Sequence, residues 1–169
     1  GALVRYKGET IVKTPMNYNL AIEIAKDIIS VPNCEVLLSG EKTAYIMPKT
    51  EEYLIRMTKV VQYKTTIIKS LDEIQEDILK VSVCDLSGIA NSEKYFADKW
   101  SDKAAAAVSG DQYMDFMDLC VSKGDALKKV QKIYGIDRSE CMAFGDNYND
   151  CEMLKQAAVS YTHLTLPTK

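Results

Sequence analysis

An acidic loop follows an apolar run near the end of the chain, and this pairing constrains the fold more than any other feature. The run 141–144 reads Cys-Met-Ala-Phe and leads into 145–150, which reads Gly-Asp-Asn-Tyr-Asn-Asp. Open α/β sheets bind ligands in loops at the carboxyl ends of their buried strands. Asp146 and Asp150, with Asn149 beside them, offer the oxygen ligands that Mg²⁺ prefers. The sequence therefore predicts an α/β fold with a cation site at this loop.

A lysine upstream of the loop could supply a positive charge to the same site. Lys123 lies in the run Val-Ser-Lys-Gly-Asp-Ala-Leu (121–127), at the predicted start of a helix. Metal carboxylates and a helix-start lysine together form a candidate phosphate site. Each feature alone has an ordinary structural role, since the loop could be a solvated turn that caps the next helix, and single lysines usually lie at the surface. Their coincidence favours a shared site.

Composition and charge exclude several classes of protein. The chain has 169 residues, of which 47% are hydrophobic and 27% charged, as expected for one globular domain or two small ones. Its net charge of −3, without a cluster of Lys or Arg, argues against nucleic acid as a partner. No apolar run is long enough to cross a membrane and no signal peptide is seen. We therefore expect a cytoplasmic protein.

The cysteines also favour a cytoplasmic protein. The five cysteines include no Cys-x-x-Cys pair and the single histidine is His163, which excludes most zinc sites. Cys84, Cys120 and Cys141 lie in apolar stretches. We predict that these three are buried, reduced thiols.

Hydrophobic periodicity and turn residues predict alternating strands and helices. Three pairs of strand-like runs flank turns and predict hairpins: 3–6 with 10–13, 35–38 with 43–47, and 103–108 with 113–117. The last pair includes four alanines that favour a helix, but Ser-Gly-Asp-Gln at 109–112 favours a tight turn. A further strand is predicted over 78–84. Helices are predicted after Pro15, after Thr50, over 92–100, from Lys123 to Gly135, and after the acidic loop.

Two motifs, taken with their spacing, resemble a known enzyme family. Gly145-Asp146-x-x-Asn149-Asp150, followed by Glu-Met-Leu at 152–154, looks like motif IV of haloacid dehalogenase-like phosphatases of the Cof type. Val-Ser-Lys-Gly at 121–124, followed by Ala126 and Leu127, resembles motif III of the same family. The similarity is strongest over residues 108–159 and weaker over 1–107. It implies a Rossmann-like core joined to an α/β cap domain of the C2 type, and a Mg²⁺-dependent phosphatase activity.

The resemblance also implies a role for each residue of the two motifs. In such enzymes an aspartate on the first core strand attacks phosphorus, and water then hydrolyses the aspartyl-phosphate. By position, Lys123 would bind substrate and neutralise the transferring phosphoryl group, and its helix start would add partial positive charge. Asp146 would be a catalytic ligand of Mg²⁺, and Asp150 would complete the catalytic set by holding the metal through bound water. Asn149 would orient oxygens of the substrate.

The same resemblance divides the chain into four segments. Residues 1–14 would be a core segment leading into the cap, 15–119 the cap, and 120–159 the C-terminal part of the core. Residues 160–169 have no clear link to the preceding pattern and are expected to be a non-native tail. The family's Asp-x-Asp-Gly nucleophile motif does not occur in these 169 residues, and its phosphate-binding Ser or Thr motif is not found. We therefore expect no hydrolysis by this chain itself.

Three hypotheses for function are compatible with the sequence. The first is that the parent protein is a cytoplasmic phosphatase acting on a small phosphorylated metabolite, either a sugar phosphate or a phosphorylated cofactor, with no nucleic-acid or membrane partner. The second is a non-catalytic module that holds a phosphoester or Mg²⁺, and the third is an inert truncated product.

Several other polar and aromatic residues are expected to have structural roles. A polar hairpin face accounts for Asp115 and Asp118. Four tyrosines could line a pocket under the cap, but amphipathic packing accounts for each more simply: Tyr18, Tyr45, Tyr53 and Tyr63.

Overall fold

The computed structural model describes residues 1–61, 64–146 and 148–162, with only the backbone of Tyr148. These residues divide into two units. The inserted unit is Thr14–Leu119, and the flanking unit is Gly1–Lys13 together with the described residues from Cys120 onward.

Strands and helices alternate along the chain, and the predicted α/β class is confirmed. The described residues form the strands β1 (Leu3–Tyr6), β2 (Glu9–Lys13), β3 (Cys34–Ser39), β4 (Ala44–Ile46), β5 (Thr65–Ile67), β6 (Lys80–Asp85), β7 (Ala105–Gly110), β8 (Tyr113–Met117), β9 (Met142–Phe144) and β10 (Val159–Tyr161). They form the helices α1 (Tyr18–Ser30), α2 (Glu51–Ile55), α3 (Glu93–Trp100), α4 (Lys123–Tyr134) and α5 (Cys151–Gln156). A π-helical turn, Arg56–Val60, continues from α2. The three predicted hairpins are all present.

The inserted unit is built on one sheet with the strand order β5-β4-β3-β6-β8-β7. Neighbouring strands are antiparallel except β4 and β5, which are parallel. The alanine-rich strand β7 forms because β8 pairs with it and because Ala106 and Val108 pack against the core. Tertiary pairing therefore overrides the helix preference of the alanines.

One face of this sheet packs against α1 and α3. The sequence offers Asn17 or Asn19 as the cap of α1, and Asn17 begins the helix, since its Oδ1 accepts a hydrogen bond from the N–H of Leu20 at 3.1 Å. Alternate strand residues and one stripe of each helix form a single buried core: Ala21, Ile24, Ile28, Val36, Leu38, Val81, Val83, Phe96, Trp100, Met114 and Phe116. Each large apolar side chain that is fully buried in this way contributes about 1.5–3 kcal/mol.

The opposite face of the sheet is only partly apolar. A smaller core unites the strands with α2 and the π-helical turn: Leu37, Ala44, Ile46, Tyr53, Met57 and Cys84. Thr50 begins α2, because its hydroxyl oxygen accepts a hydrogen bond from the N–H of Tyr53 at 3.2 Å. Beyond this core the face carries Lys80, Ser82 and Asp115, so its character changes from apolar to polar along the sheet.

The tyrosines of the inserted unit take part in packing and hydrogen bonding. Tyr53 is fully buried. The hydroxyl of Tyr45 donates to Glu76 at 2.9 Å, and that of Tyr18 donates to the carbonyl of Ile74 at 3.4 Å. Tyr63 lies outside the described residues.

The flanking unit contains the β1–β2 hairpin, the parallel pair β9–β10, and α4 packed against α5. In the segment that begins at residue 160, which the sequence predicts to be a non-native tail, Ser160 and Tyr161 pair with Ala143 and Phe144 of β9. Residues 163–169 of this segment lie outside the described residues. None of the helices described here is long and apolar enough to span a membrane.

Two predictions of burial in the flanking unit are wrong. The helical spacing of Ala126, Leu127, Val130, Ile133 and Tyr134 predicts one apolar stripe along α4. Ile133 and Tyr134 are nevertheless exposed, and the buried positions of that helix are Gly124 and Gln131. Among the cysteines predicted to be buried, Cys84 is buried, but Cys141 is half-buried and Cys120 is exposed. Cys84 lies on β6 in the core that the sheet forms with α2, whereas β9, which follows Cys141, pairs only with β10 among the described strands.

Hydrogen bonds and an ion pair join α3 to α1. Asp27 accepts hydrogen bonds from the hydroxyl of Tyr95 and from Nε1 of Trp100, both at 2.8 Å, and forms an ion pair with Lys99. Burial raises the pKa of Asp27, but the hydrogen bonds from Lys99, Trp100 and Tyr95 outweigh it, and the pKa lies below its ordinary value. A depressed carboxyl pKa stabilises the fold above the pKa of the unfolded chain, and this contribution is lost as the pH falls through the folded pKa.

We expect Asp27→Asn to lower the free energy of unfolding by about 1–2 kcal/mol at pH 7, because charged hydrogen bonds are lost. The difference between variant and parent should shrink as the pH falls below about 4, the ordinary pKa of an aspartate, because the unfolded parent chain then binds a proton that folded Asp27 does not yet bind. Urea unfolding at several pH values between 7 and 3 measures this difference in the free energy of unfolding. Asp98→Asn is the matched control, since Asp98 pairs with Lys94 on the exposed surface of α3. A constant difference at every pH would contradict the assignment.

Candidate active site

Lys123 is held at the first turn of α4 by a serine cap. Ser122 has extended backbone dihedrals, and its hydroxyl oxygen accepts a hydrogen bond from the N–H of Asp125 at 2.9 Å. This arrangement satisfies one of the free N–H groups at the helix start and ends the preceding extended segment at residue 122. The side chain of Lys123 therefore projects from the N-terminal turn of α4.

Gly124 brings the start of α4 against α5. A Cβ atom at this position would lie 2.5 Å from the backbone carbonyl group of Glu152. Since backbone atoms cannot move aside as a flexible side chain can, only glycine allows this approach. The close packing places Lys123 beside the residues that precede α5.

The lysine and the acidic loop meet in the flanking unit. The Nζ of Lys123 donates to Oδ1 of Asn149 at 3.3 Å and forms an ion pair with Oδ1 of Asp150. The side chain of Asp150 is 6% exposed, whereas that of Lys123 is 45% exposed. The pair is therefore anchored on a buried carboxylate and presents its cation to solvent.

Asp150 also fixes the backbone of the loop. Its Oδ2 accepts a hydrogen bond from the N–H of Asp146 at 3.1 Å. Gly145 permits the loop to close on Asp150, because a Cβ atom there would overlap the side chain of Asp150. One buried carboxylate thus positions both the lysine and the residue predicted to bind the metal.

The remaining predicted residue, Asp146, lies exposed on the loop. Within residues 1–61, 64–146 and 148–162, no group of three or more His, Cys, Asp and Glu side chains could hold a metal ion. Mg²⁺ is often held by one or two carboxylates, several waters and the oxygens of a substrate phosphate. An exposed Asp146 fits one such ligand, while Asp150 already accepts hydrogen bonds on both oxygens. The described residues therefore fit part of a Mg²⁺ site.

The structure brings together all four residues that the sequence singled out. Lys123 contacts Asn149 and Asp150 through side chains, and Asp146 joins them through its backbone. The roles of Gly124 and Gly145 in this geometry were not predicted. Their positions beside Lys123 and Asp146 in the two motifs were the only signal that could have indicated a close approach.

The chain matches a known protein family over nearly its whole length. The family model of haloacid dehalogenase-like hydrolases matches residues 1–162. The chain belongs to the haloacid dehalogenase-like hydrolase family. The resemblance inferred from the two motifs is confirmed.

A phosphatase of Escherichia coli matches nearly all of the chain. The 5-amino-6-(5-phospho-D-ribitylamino)uracil phosphatase YbjI of Escherichia coli is 24% identical over 163 residues, which are 95% of this chain and 60% of that protein. The chain therefore spans less than two thirds of the length of this relative.

Solved structures show the same fold. SMU.1108c of Streptococcus mutans matches with a TM-score of 0.80 and 26% identity, covering 99% of this chain and 64% of that one. The subclass IIB sugar phosphatase BT4131 of the haloacid dehalogenase superfamily matches with a TM-score of 0.77 and 15% identity, covering 95% of this chain and 60% of that one.

Proposed function

We propose that the complete protein is a Mg²⁺-dependent phosphatase, and that this chain supplies its cap domain and the cationic half of its active site. The observation that carries the proposal is the convergence of Lys123, Asn149 and Asp150 beside the loop that bears Asp146. Family membership supports the hydrolase class. The inserted unit, Thr14–Leu119, would be the cap, and the flanking unit would belong to the catalytic core.

Each residue has a physical task in this proposal. Phosphoryl transfer spreads negative charge over the equatorial oxygens of phosphorus, so cations held in place beforehand lower the barrier. The exposed ammonium of Lys123 would contact those oxygens, and Asn149 would orient them. Asp146 would bind Mg²⁺, which supplies further positive charge when it is present. Asp150 would position Lys123 and the loop through the hydrogen bonds that its two oxygens accept, and a remaining acceptor position would hold a water molecule bound to Mg²⁺.

The nucleophile would come from sequence outside these 169 residues. Transfer to an aspartate forms an oxygen–phosphorus bond and breaks the ester bond to the leaving alcohol, and water then attacks the aspartyl-phosphate to release phosphate. The 169 residues contain no Asp-x-Asp-Gly. We therefore propose that this chain alone does not hydrolyse phosphate esters.

The substrate would be a small phosphorylated metabolite. The names of two similar proteins describe a phosphatase of a phosphoribityl compound and a sugar phosphatase. These names favour a sugar phosphate or a phosphorylated cofactor precursor. The free cysteines, which form no disulfide among the described residues, are compatible with the reducing conditions of the cytoplasm.

Phosphate release from p-nitrophenyl phosphate tests this function. We expect the complete reading frame to release phosphate with Mg²⁺ and to lose at least about 100-fold of its rate when the metal is chelated. The 169-residue chain should release none under the same conditions. If the complete protein lacks turnover but Mg²⁺ and phosphate raise its melting temperature, the protein is a non-catalytic binding module. If the complete protein shows neither turnover nor a rise in melting temperature with Mg²⁺ and phosphate, the candidate active site is ruled out.

A further inference from the structure

A fixed array of polar side chains lies on the sheet face of the inserted unit that α2 partly covers. Ser82 on β6 pairs in register with Asp115 on β8, and Lys80 lies two residues along β6 on the same face. Asp115 accepts hydrogen bonds from the hydroxyl of Ser82 at 2.6 Å and from Nζ of Lys80 at 3.0 Å. Ser82 and Asp115 are 2% and 8% exposed. Buried polar groups held so firmly at a surface cavity are typical of a ligand site.

The cavity lies between this array and the π-helical turn. It has a volume of about 230 Å³, and Leu37, Met57 and Val61 give it an apolar wall. A second cavity of about 590 Å³ shares Arg56 and Tyr113 with it. π-Helical turns are rare and frequently occur at functional sites, and Arg56 and Met57 of this turn line the cavity.

The charges of the cavity favour an anion. The carboxylate of Asp115 balances Lys80, while Arg56 forms no ion pair with any residue that the structure describes. The guanidinium of Arg56 lies 5.6 Å from the centre of the Tyr113 ring, which holds it at the cavity. Among the described residues, the lining therefore carries two cations and one carboxylate, Asp115, and its other ionisable acidic side chain is the phenol of Tyr113. Burial raises the pKa of Tyr113 to about 12, so its hydroxyl stays neutral.

The hydroxyl of Ser39 lines the cavity. The Oγ of Ser39 is buried and makes no hydrogen bond with the described residues. A buried hydroxyl without a hydrogen bond costs free energy, and a polar group of a ligand would remove that cost. Ser39 pairs in register with Lys80, so it lies on the same face as the cation.

We propose that this cavity is a binding site for a small organic anion with an apolar body. Arg56 and Lys80 would bind the carboxylate or phosphate group of the ligand, and Ser39 would donate a hydrogen bond to it. Leu37, Met57 and Val61 would contact the apolar body. This site lies within the inserted unit, and it goes beyond the proposed phosphatase function and does not depend on it.

Calorimetric titration of the 169-residue chain tests the proposal with benzoate and phenyl phosphate as probes and benzamide as the neutral control. We expect saturable binding of at least one anion, and at least tenfold weaker binding of benzamide. Arg56→Met should weaken anion binding at least tenfold. Lys59→Met, which removes an exposed lysine from the same turn, should leave it unchanged.

Two further variants distinguish binding in this cavity from binding elsewhere on the chain. Lys123→Met should leave benzoate binding unchanged, because Lys123 belongs to the other unit. This variant therefore separates binding in the cavity from binding at the candidate active site, and the outcome does not depend on the phosphatase proposal. Ser39→Ala should weaken binding without lowering the melting temperature, because the hydroxyl has no partner among the described residues. Absence of saturable anion binding, or equal effects of Arg56→Met and Lys59→Met, would overturn the proposal.

Discussion

In the complete protein, Lys123→Met is expected to lower kcat/KM for phosphate ester hydrolysis by about 10²–10³-fold. The variant removes the exposed ammonium that would contact the phosphoryl oxygens and keeps a side chain of similar length. It also leaves the buried Asp150 without its cation, which the structure pairs with Lys123. Steady-state kinetics with p-nitrophenyl phosphate and Mg²⁺ measure the change.

Lys129→Met provides the matched control, because Lys129 lies on the same helix and pairs with Asp125 at 2.6 Å on its surface. We expect the control to keep near-parental activity. Circular dichroism and thermal unfolding show whether each variant remains folded. Turnover of folded Lys123→Met within threefold of the control would show that the lysine has no part in the chemistry.

Glu35→Ala is expected to lower the free energy of unfolding of the chain by about 2–4 kcal/mol. Glu35 is 2% exposed on β3 and joins the sheet to the start of α2. Its carboxylate accepts hydrogen bonds from the N–H groups of Lys49 and Thr50, both at 2.9 Å, and from the Thr50 hydroxyl at 2.7 Å. Removing the carboxylate leaves these three donors without their acceptor and loosens the cap of α2.

Urea unfolding at pH 7 measures this loss, with Glu23→Ala as control. Glu23 is an outward-facing glutamate on α1, and its replacement should change the free energy of unfolding by less than about 0.5 kcal/mol. Equal stability of the two variants would mean that water replaces the carboxylate at the helix start.

Local chemistry decided the elements that could be predicted. Asn17 and Thr50 begin helices as their side chains indicate, and Gly135 ends α4 in the left-handed conformation with φ 65°. The hairpin over β7 and β8 was predicted from its turn residues against the helix preference of four alanines. These signals succeed because caps and turns depend on neighbours within a few residues.

Burial was harder to predict, since it depends on what covers each element. Periodicity places Ile133 and Tyr134 on one stripe of α4, yet both are exposed in the described structure. The same limit applies to Cys120, whose apolar neighbours in sequence do not cover it in space. Asp115 shows the reverse case, because a residue assigned to a polar hairpin face is nearly buried beside Lys80 and Ser82.

The sequence by itself determined the α/β class and the four residues of the candidate site, because these depend on short motifs and the periods of strand and helix. Only the tertiary structure decided that Asp150 is the buried anchor of Lys123 and of the Asp146 backbone. It also revealed the cavity beside Arg56 on the sheet of the inserted unit. Such contacts join residues that are distant along the chain, and no local pattern records which side chains will meet when the strands and helices pack.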